Sequence, residues 1–373
     1  MAPLVSIVMP CFNAGRMLGP ALRSAFEQTH PNIEIILVDN NSTDGSAEQA
    51  EAIAATYRRP FRLVRCAEQG CNPPRNAGYA LAQGDYIQWL DADDALGREK
   101  IELQVAVLEQ DASAAIAYCD WMHSRHTLGG GRVDQVMRLV QQDDQILRIL
   151  SGVWCPPHSY LLRRDAADRL QAEDAWFPRR KVGTDIEYIA IAAMLGLRFR
   201  HVAGARIQYN SWSNTQISSV GTPYAARVAA LRDIFSRLLK LSEREDVAPR
   251  ITARHRILLD QNWEIWAMPP GSIEIRQPSS RLYELRHAAS GRLVEARPRE
   301  AAVAHAMQAL GMRKAIAHHA VAIAARVPSV RDDQAFIVAT LERFRREGLL
   351  TRVEICNEAE VDAHAPLGAA ASS

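Results

Sequence analysis

Short apolar runs alternate with segments of helical periodicity along the first part of the chain. The runs predict strands over residues 4–9, 33–38, 61–66, 85–90 and 114–119. Apolar positions three and four apart between these runs predict helices over residues 16–28, 45–57, 75–83 and 98–109. This alternation favours an α/β fold with a mainly parallel, Rossmann-like central sheet flanked by helices.

The pattern loosens after residue 120. It predicts a strand over 158–163, a helix over 165–171, a helix over 184–195 and two short strands over 199–202 and 206–209. His123 and His126 have a spacing that metal ligands can share, but they lie in a polar segment flanked by glycines. A solvated loop is the favoured interpretation of these two histidines.

Helical periodicity dominates beyond residue 222. It predicts helices over residues 223–241, 247–266, 279–289, 297–325 and 332–347. We therefore expect an α/β domain over 1–220, a helical C-terminal region over 221–360 and a disordered tail over 361–373, which is rich in small residues.

Composition narrows the class of protein. Of 373 residues, 48% are hydrophobic and 23% are charged, and the net charge is +1, which does not favour a nucleic-acid partner. The Ala-rich stretch 301–326 is interrupted by charged residues, so no membrane-spanning run is expected. The six cysteines form no Cys-x-x-Cys pair, and no secretion signal precedes the first strand, so we expect a cytoplasmic protein with reduced thiols.

The predicted strand over 85–90 runs directly into Asp91, Asp93 and Asp94. Three carboxylates so close together repel one another, and a divalent cation such as Mg²⁺ or Mn²⁺ would resolve that conflict. The alternative is an acidic loop that caps the helix starting near Gly97.

Other polar residues follow predicted strands in the same way. Asn13, Asp39 and Asp91 each lie just past a strand, and ligands of parallel α/β sheets bind outside that edge. The segment after the first strand has no Gly-x-Gly-x-x-Gly pattern, which disfavours a dinucleotide-binding site.

Four motifs occur in order: Val5–Asn13, Leu37–Ser46, Arg75–Gly78 and Leu90–Asp94. Together they closely resemble the family 2 glycosyltransferases of the GT-A fold, and Gly183–Tyr188 is similar to that family's catalytic Glu-Asp region. The resemblance covers about residues 3–220, and it implies an inverting transfer from a nucleotide-sugar to an acceptor hydroxyl.

The resemblance also implies roles on the nucleotide side. Asp39 would accept the imide N–H of uracil, and its alternative role is to cap the turn 40–42. Pro10, Phe12 and Asn13 would form an edge beside the base. Arg75 has donors that suit diphosphate or ribose oxygens, and Asn76 would lie close to the donor.

The resemblance implies that Asp91 contacts the ribose and, through water, the metal. It implies that Asp93 is a direct ligand of Mn²⁺ or Mg²⁺ and that Ala92 lies beside the donor. Asp185 is the candidate base, with Glu187 as the alternative, and N-capping is the simpler role for Asp185. Trp212 would stack on a sugar or pack a lid. The Tyr-Arg-x-His segment that often closes such sites is absent.

The function expected from the sequence is a metal-dependent glycosyltransferase of bacterial surface-glycan type that uses a UDP-sugar. Its acceptor would be a glycan or a lipid-linked oligosaccharide, which would place it at the inner face of the plasma membrane. A degenerate sugar-nucleotide binder and a sugar nucleotidyltransferase are the alternatives. The C-terminal helices would form a homodimer interface, contact the membrane or cover the acceptor site.

Overall fold

A computed structural model describes residues 2–126, 130–150, 153, 155–180, 182–212, 224–261, 266–267, 273–279, 282–310, 323, 329 and 334–352. The chain forms two compact units. The first consists of Met1–Gln145 with Trp154–Thr222, and the second of Ile146–Val153 with Pro223–Ser373.

The first unit alternates strands and helices. Its strands are β1 (Val5–Cys11), β2 (Ile33–Asp39), β3 (Phe61–Arg65), β4 (Tyr86–Trp89), β5 (Ala95–Leu96), β6 (Ile116–His126), β7 (Arg132–Met137), β8 (Leu161–Arg163) and β9 (Phe199–Trp212). Its helices are α1 (Leu18–Phe26), α2 (Ser46–Ala54), α3 (Pro73–Leu81), α4 (Lys100–Gln110), α6 (Arg164–Ala172) and α7 (Thr184–Met194), while α5 (Gln145–Leu150) belongs to the second unit from Ile146 onward.

The strands form one nine-stranded sheet in the order β3-β2-β1-β4-β8-β6-β9-β5, with β7 paired to β6. Strands β3, β2, β1 and β4 are mutually parallel, and β6 pairs in parallel with β9. The register places Cys11 beside Asp39, so the carboxyl ends of β1 and β2 lie side by side. The predicted α/β architecture is confirmed.

Burial explains why these strands form. Every residue of β2 and β4 is buried, as parallel strands covered on both faces require. Helix α3 packs against β1 and β2, where Gly78 allows close approach to Val8 and Val38. This packing brings the N-terminal end of α3, which carries Arg75, near the loop after β4.

Two local predictions in this unit were wrong. Strand β6 continues to His126, so His123 and His126 lie in a strand, where they contact Ser211 Oγ (2.8 Å) and Asn210 Oδ1 (3.1 Å). The two short strands predicted over 199–209 are one long strand, β9, in which the register shifts by three residues between Val202 and Arg206.

The second unit is not wholly helical, so the prediction of a helical C-terminal region was incomplete. Its described helices are Tyr224–Ser242, Ala253–Gln261, Pro298–Leu310 and Gln334–Arg346. Three of the described strands form one antiparallel sheet: Ile273–Ser279, Leu282–His287 and Leu293–Ala296. Burial alternates along the last of these strands, and the helix predicted over 279–289 falls largely on the middle strand. Two short strands, Trp266–Ala267 and Thr351–Arg352, form a separate antiparallel pair.

The tail over 361–373 lies outside the described residues. Within the described part of the chain, no helix combines the length and the apolar character that crossing a bilayer requires.

Candidate active site

The acidic motif forms a tight turn at the end of β4. The backbone N–H of Asp94 donates to the carbonyl of Asp91 (3.2 Å), and Leu90 N–H donates to Val8 O (3.0 Å) on the neighbouring β1. The turn therefore lies at the carboxyl edge of the parallel strands. Asp91 and Asp93 are half-buried, and Ala92 and Asp94 are buried.

Arg75 is buried directly against this turn. Its Nη2 donates to Asp91 Oδ1 at 2.6 Å, and Nη1 donates to Cys71 O at 3.0 Å. The guanidinium carbon lies 4.6 Å from the centre of the Trp176 ring, a cation–π contact. Burial disfavours the charge of Arg75, but Asp91 and Asp185 outweigh it and raise the arginine's pKa. The residue predicted to meet donor oxygens is thus already paired with a carboxylate.

Helix α7 brings Asp185 to the same arginine. The helix follows Gly183, whose φ of 72° is a left-handed conformation that favours glycine. Thr184 Oγ1 donates to Asp185 Oδ1 at 3.0 Å. Burial raises the pKa of Asp185 to about 6, with Asp91 adding to the rise and Arg75 opposing it. A carboxylate with a pKa in this range is suited to act as a general base near neutral pH.

Glu187 has a different environment, although it is only two residues away. It is fully buried, and its carboxylate accepts two bonds from Arg180, from Nε at 2.8 Å and from Nη2 at 3.1 Å. A carboxylate engaged on both oxygens by an arginine is poorly placed to take a proton from an acceptor. This geometry favours Asp185 over Glu187 as the base.

The N-terminal end of α3 holds the loop that precedes α7. Asn72 Nδ2 donates to Phe177 O (2.8 Å), and Asn76 Nδ2 donates to Trp176 O (2.9 Å). Trp176 stacks on Tyr188 with ring centres 4.1 Å apart. Asn76, predicted to lie close to the donor, therefore also positions Trp176 beneath Arg75. The role of Trp176 was missed by sequence reasoning, because no local pattern marks it.

Asp94 and His158 form a second buried contact behind the turn. Asp94 Oδ1 accepts the backbone N–H of Asn210 at 2.6 Å, and Asp94 Oδ2 lies 3.5 Å from His158 Nδ1. Burial, together with Asp93 and Asp91, holds the pKa of Asp94 well above its usual range, and burial lowers the pKa of His158 to about 3. Asp91, Asp94 and His158 each offer one ligand atom, and the three atoms lie within 4.8 Å of one another.

Asp93, predicted as the direct metal ligand, does not belong to this group among the described residues. Burial and the neighbouring Asp91 raise the pKa of Asp93 to about 6. Its side chain is only half-buried, which leaves it open to a ligand from the solvent side.

The loops after β1 and β2 are joined by side-chain hydrogen bonds. Asn13, with a positive φ of 46°, accepts the Thr43 N–H on Oδ1 at 2.8 Å, and Ser42 Oγ accepts the Asn13 N–H at 3.0 Å. Asp39 is 4% exposed and accepts the Ser42 N–H at 3.2 Å, the turn-capping role considered from the sequence. Phe12 is 48% exposed beside them, and Pro10 on β1 is half-buried.

Trp212 is the last residue of β9, and its backbone pairs with His126. Its side chain lies outside the part of the structure that is described. The sugar-stacking role predicted for it remains a prediction.

Comparison with known proteins agrees with this geometry. Residues 6–170 match the sequence model of Glycosyl transferase family 2. The similarity to glycosyltransferase family 2 thus extends over 165 of the 373 residues. An uncharacterized glycosyltransferase of Haemophilus influenzae is 38% identical over 122 residues, which are 32% of this chain and 49% of the relative. The glycosyltransferase GlyG of Streptococcus pneumoniae is 38% identical over 117 residues, 31% of this chain and 39% of GlyG.

The chain thus spans about half the length, or less, of these curated relatives. Among solved structures, S. aureus TarS 1–349 in complex with UDP-GlcNAc has a TM-score of 0.50 and 17% identity, and covers 66% of this chain and 69% of TarS 1–349. This likeness concerns the fold. The predicted GT-A fold is confirmed.

Proposed function

We propose that the chain is a metal-dependent, inverting glycosyltransferase that moves a sugar from a UDP-sugar to a hydroxyl of a glycan or lipid-linked acceptor. One observation carries this proposal: the turn at the end of β4 and the N-terminal end of α7 converge on one buried arginine. Asp91 is bonded to Arg75, and Asp185 lies within electrostatic reach of both. These are the groups that bind a charged donor and accept a proton.

The donor's nucleotide would bind at the ends of β1 and β2. Asp39 would accept the uracil N–H with the oxygen that Ser42 does not use, and Phe12 offers an exposed ring beside it. Pro10 and Asn13 complete that edge, and Asn76 and Ala92 lie toward the diphosphate. The TarS structure carries UDP-GlcNAc, which makes UDP the first nucleotide to test.

The acidic turn suits a divalent cation. Carboxylate oxygens are the ligands that Mg²⁺ and Mn²⁺ prefer. Asp91 and Asp93 would hold the ion when the donor is bound. When present, the ion would supply Lewis-acid stabilisation of the departing diphosphate.

Asp185 takes the proton of the attacking hydroxyl. Its half-buried position beside Arg75 keeps it near the reacting atoms. Its raised pKa, about 6, lets it accept a proton at neutral pH. Arg75 holds Asp91 in place and balances its charge. Trp212 would stack on the transferred or accepting sugar. A lipid-linked acceptor would place the enzyme at the inner face of the plasma membrane.

Titration calorimetry of UDP with Mn²⁺, and then with EDTA, tests donor binding. We expect Mn²⁺-dependent binding, and no binding in either condition would count against a UDP donor. Turnover is tested by release of UDP from a panel of UDP-sugars. Asp185→Asn should leave UDP affinity unchanged and lower turnover by roughly 10²–10⁴-fold. If the wild-type protein binds UDP but turns over no sugar, the alternative of a degenerate sugar-nucleotide binder is favoured.

A further inference from the structure

His158 has an unusual position for a histidine that has no established role. Its side chain is fully buried, and neither Nδ1 nor Nε2 has a hydrogen-bond partner among the described residues. A buried polar group without a partner costs free energy, so such groups in native proteins call for a ligand or another explanation. The ring stacks on Tyr209 with centres 6.2 Å apart, which fixes its plane.

Nδ1 of His158 faces the acidic turn. It lies 3.5 Å from Asp94 Oδ2, a distance too long for a good hydrogen bond but suitable for two ligands of one metal ion. Asn210 uses the other oxygen of Asp94, and Arg75 uses one oxygen of Asp91. One oxygen of each carboxylate is therefore left for a cation.

The charges around His158 also favour a bound cation. Asp91 and Asp94 place ligand oxygens within 4.8 Å of each other and of His158 Nδ1. Arg75 balances one carboxylate through its bond to Asp91, and Asp94 has no cationic side chain bonded to it among the described residues. A divalent ion between the three side chains would balance the second carboxylate and occupy the free imidazole nitrogen.

We propose that, in the nucleotide-free protein, Asp91, Asp94 and His158 bind one divalent transition-metal ion. This inference rests on the proposed function, because that function requires a cation at this turn. Its ligands differ from the Asp91 and Asp93 pair that would hold the ion when the donor is bound. The nitrogen ligand sets the selectivity. Imidazole suits later transition metals such as Zn²⁺, whereas Mg²⁺ prefers an all-oxygen, octahedral set, so Zn²⁺ should displace bound Mn²⁺ more readily than an equal concentration of Mg²⁺ does.

The test is electron paramagnetic resonance of Mn²⁺ added to the full-length protein without nucleotide. Loss of the free-ion signal measures binding, and 15N-labelling of the histidines tests for nitrogen hyperfine coupling in the wild-type protein. We expect one tightly held ion with histidine coupling. His158→Phe keeps a flat ring on Tyr209 but removes both nitrogens.

We expect His158→Phe and Asp94→Asn to weaken Mn²⁺ binding by more than about 100-fold, since losing even an outer partner of a ligand typically costs about 10- to 100-fold. Asp93→Asn, which removes the same charge one residue away, should bind Mn²⁺ as the wild type does. Circular dichroism of each variant without metal shows whether it is folded.

Three results would overturn the inference: no Mn²⁺ binding without nucleotide, binding without histidine coupling, or binding lost in Asp93→Asn and kept in Asp94→Asn. The first would leave His158 and Asp94 as a buried polar contact. The proposed function fails separately, if UDP does not bind in the presence of Mn²⁺ or if no UDP-sugar is turned over.

Discussion

The buried pair of Arg180 and Glu187 allows a test of which carboxylate near the start of α7 is the base. Their side chains are 6% and 0% exposed, and two bonds of 2.8 Å and 3.1 Å join them. In Glu187→Gln, the amide oxygen can accept only one of these bonds, and the amide N–H groups face a cation. Breaking a buried ion pair by removing one partner costs about 3–5 kcal/mol, so we expect a loss of that size in the free energy of unfolding.

Urea unfolding followed by tryptophan fluorescence and circular dichroism measures this loss. The matched variant is Arg180→Met with Glu187→Leu, which replaces both charges by apolar side chains of similar volume. It should recover most of the lost stability, because replacing a whole buried pair is often neutral or stabilising. At a temperature where Glu187→Gln is folded, its UDP release should fall by less than about 10-fold, far less than the loss expected for Asp185→Asn.

The opposite pattern would refute the reasoning. If Glu187→Gln were as stable as the wild type and lost turnover as completely as Asp185→Asn, Glu187 would be a reacting group and the pair with Arg180 would not be structural. Measuring both variants for UDP affinity separates a damaged donor site from a missing base.

Two further predictions concern packing and pH. Gly78→Ala should cost about 1–3 kcal/mol of unfolding free energy, because an added Cβ would lie 2.5 Å from Val8 Cγ1. Gly45→Ala should cost about 1–2 kcal/mol, because the site has open space but a φ of +82°. Equal stability of Gly78→Ala and the wild type would contradict the packing. The kcat/KM should rise with pH through about 6, because Asp185 is protonated below that pH and is a base only above it; a flat profile from pH 5 to 8 would count against Asp185. The same raised pKa means that the native state binds more protons than the unfolded state between the two pKa values, so stability falls as pH rises from about 4 to 6. Asp185→Asn should reduce this fall without removing it, because the pKa of Asp93 is also raised to about 6.

The strands of the parallel sheet could be predicted because burial on both faces makes each a continuous apolar run. The predicted runs starting at Leu4 and Ile33 stop at Pro10 and Asp39, and their boundaries were right within two residues. Strand β9 was divided in the prediction because Gly204, with a φ of +88°, interrupts the pattern where the register shifts. The second unit was harder, since its strands are short and their alternation also fits a helical period over a few residues.

The candidate site could be predicted only as far as its motifs extend. Asp91, Asp93 and Asp185 stand in motifs that mark them, and the structure gathers Asp91 and Asp185 around one arginine. The partner of Arg75 was not predictable, because the pair joins the start of a helix to the end of the next strand, 16 residues later. His158 and Trp176 lie in a region without a recognisable motif, and only the tertiary fold shows that His158 is buried beside Asp94 and Trp176 against Arg75.

Arg75 explains how the acids can stay close together in the protein without a ligand. A cation at the start of a helix is unfavourable for the helix dipole, and a buried one is costly as well. Both costs are offset by Asp91, by the field of Asp185 and by the face of Trp176. Since Arg75 is occupied in this way, it balances only part of the negative charge at the turn. Protons can balance the rest, since the pKa values of Asp93 and Asp94 are both raised. In the proposed function a divalent cation would displace those protons, so the metal and Arg75 would have complementary rather than competing roles at the end of β4.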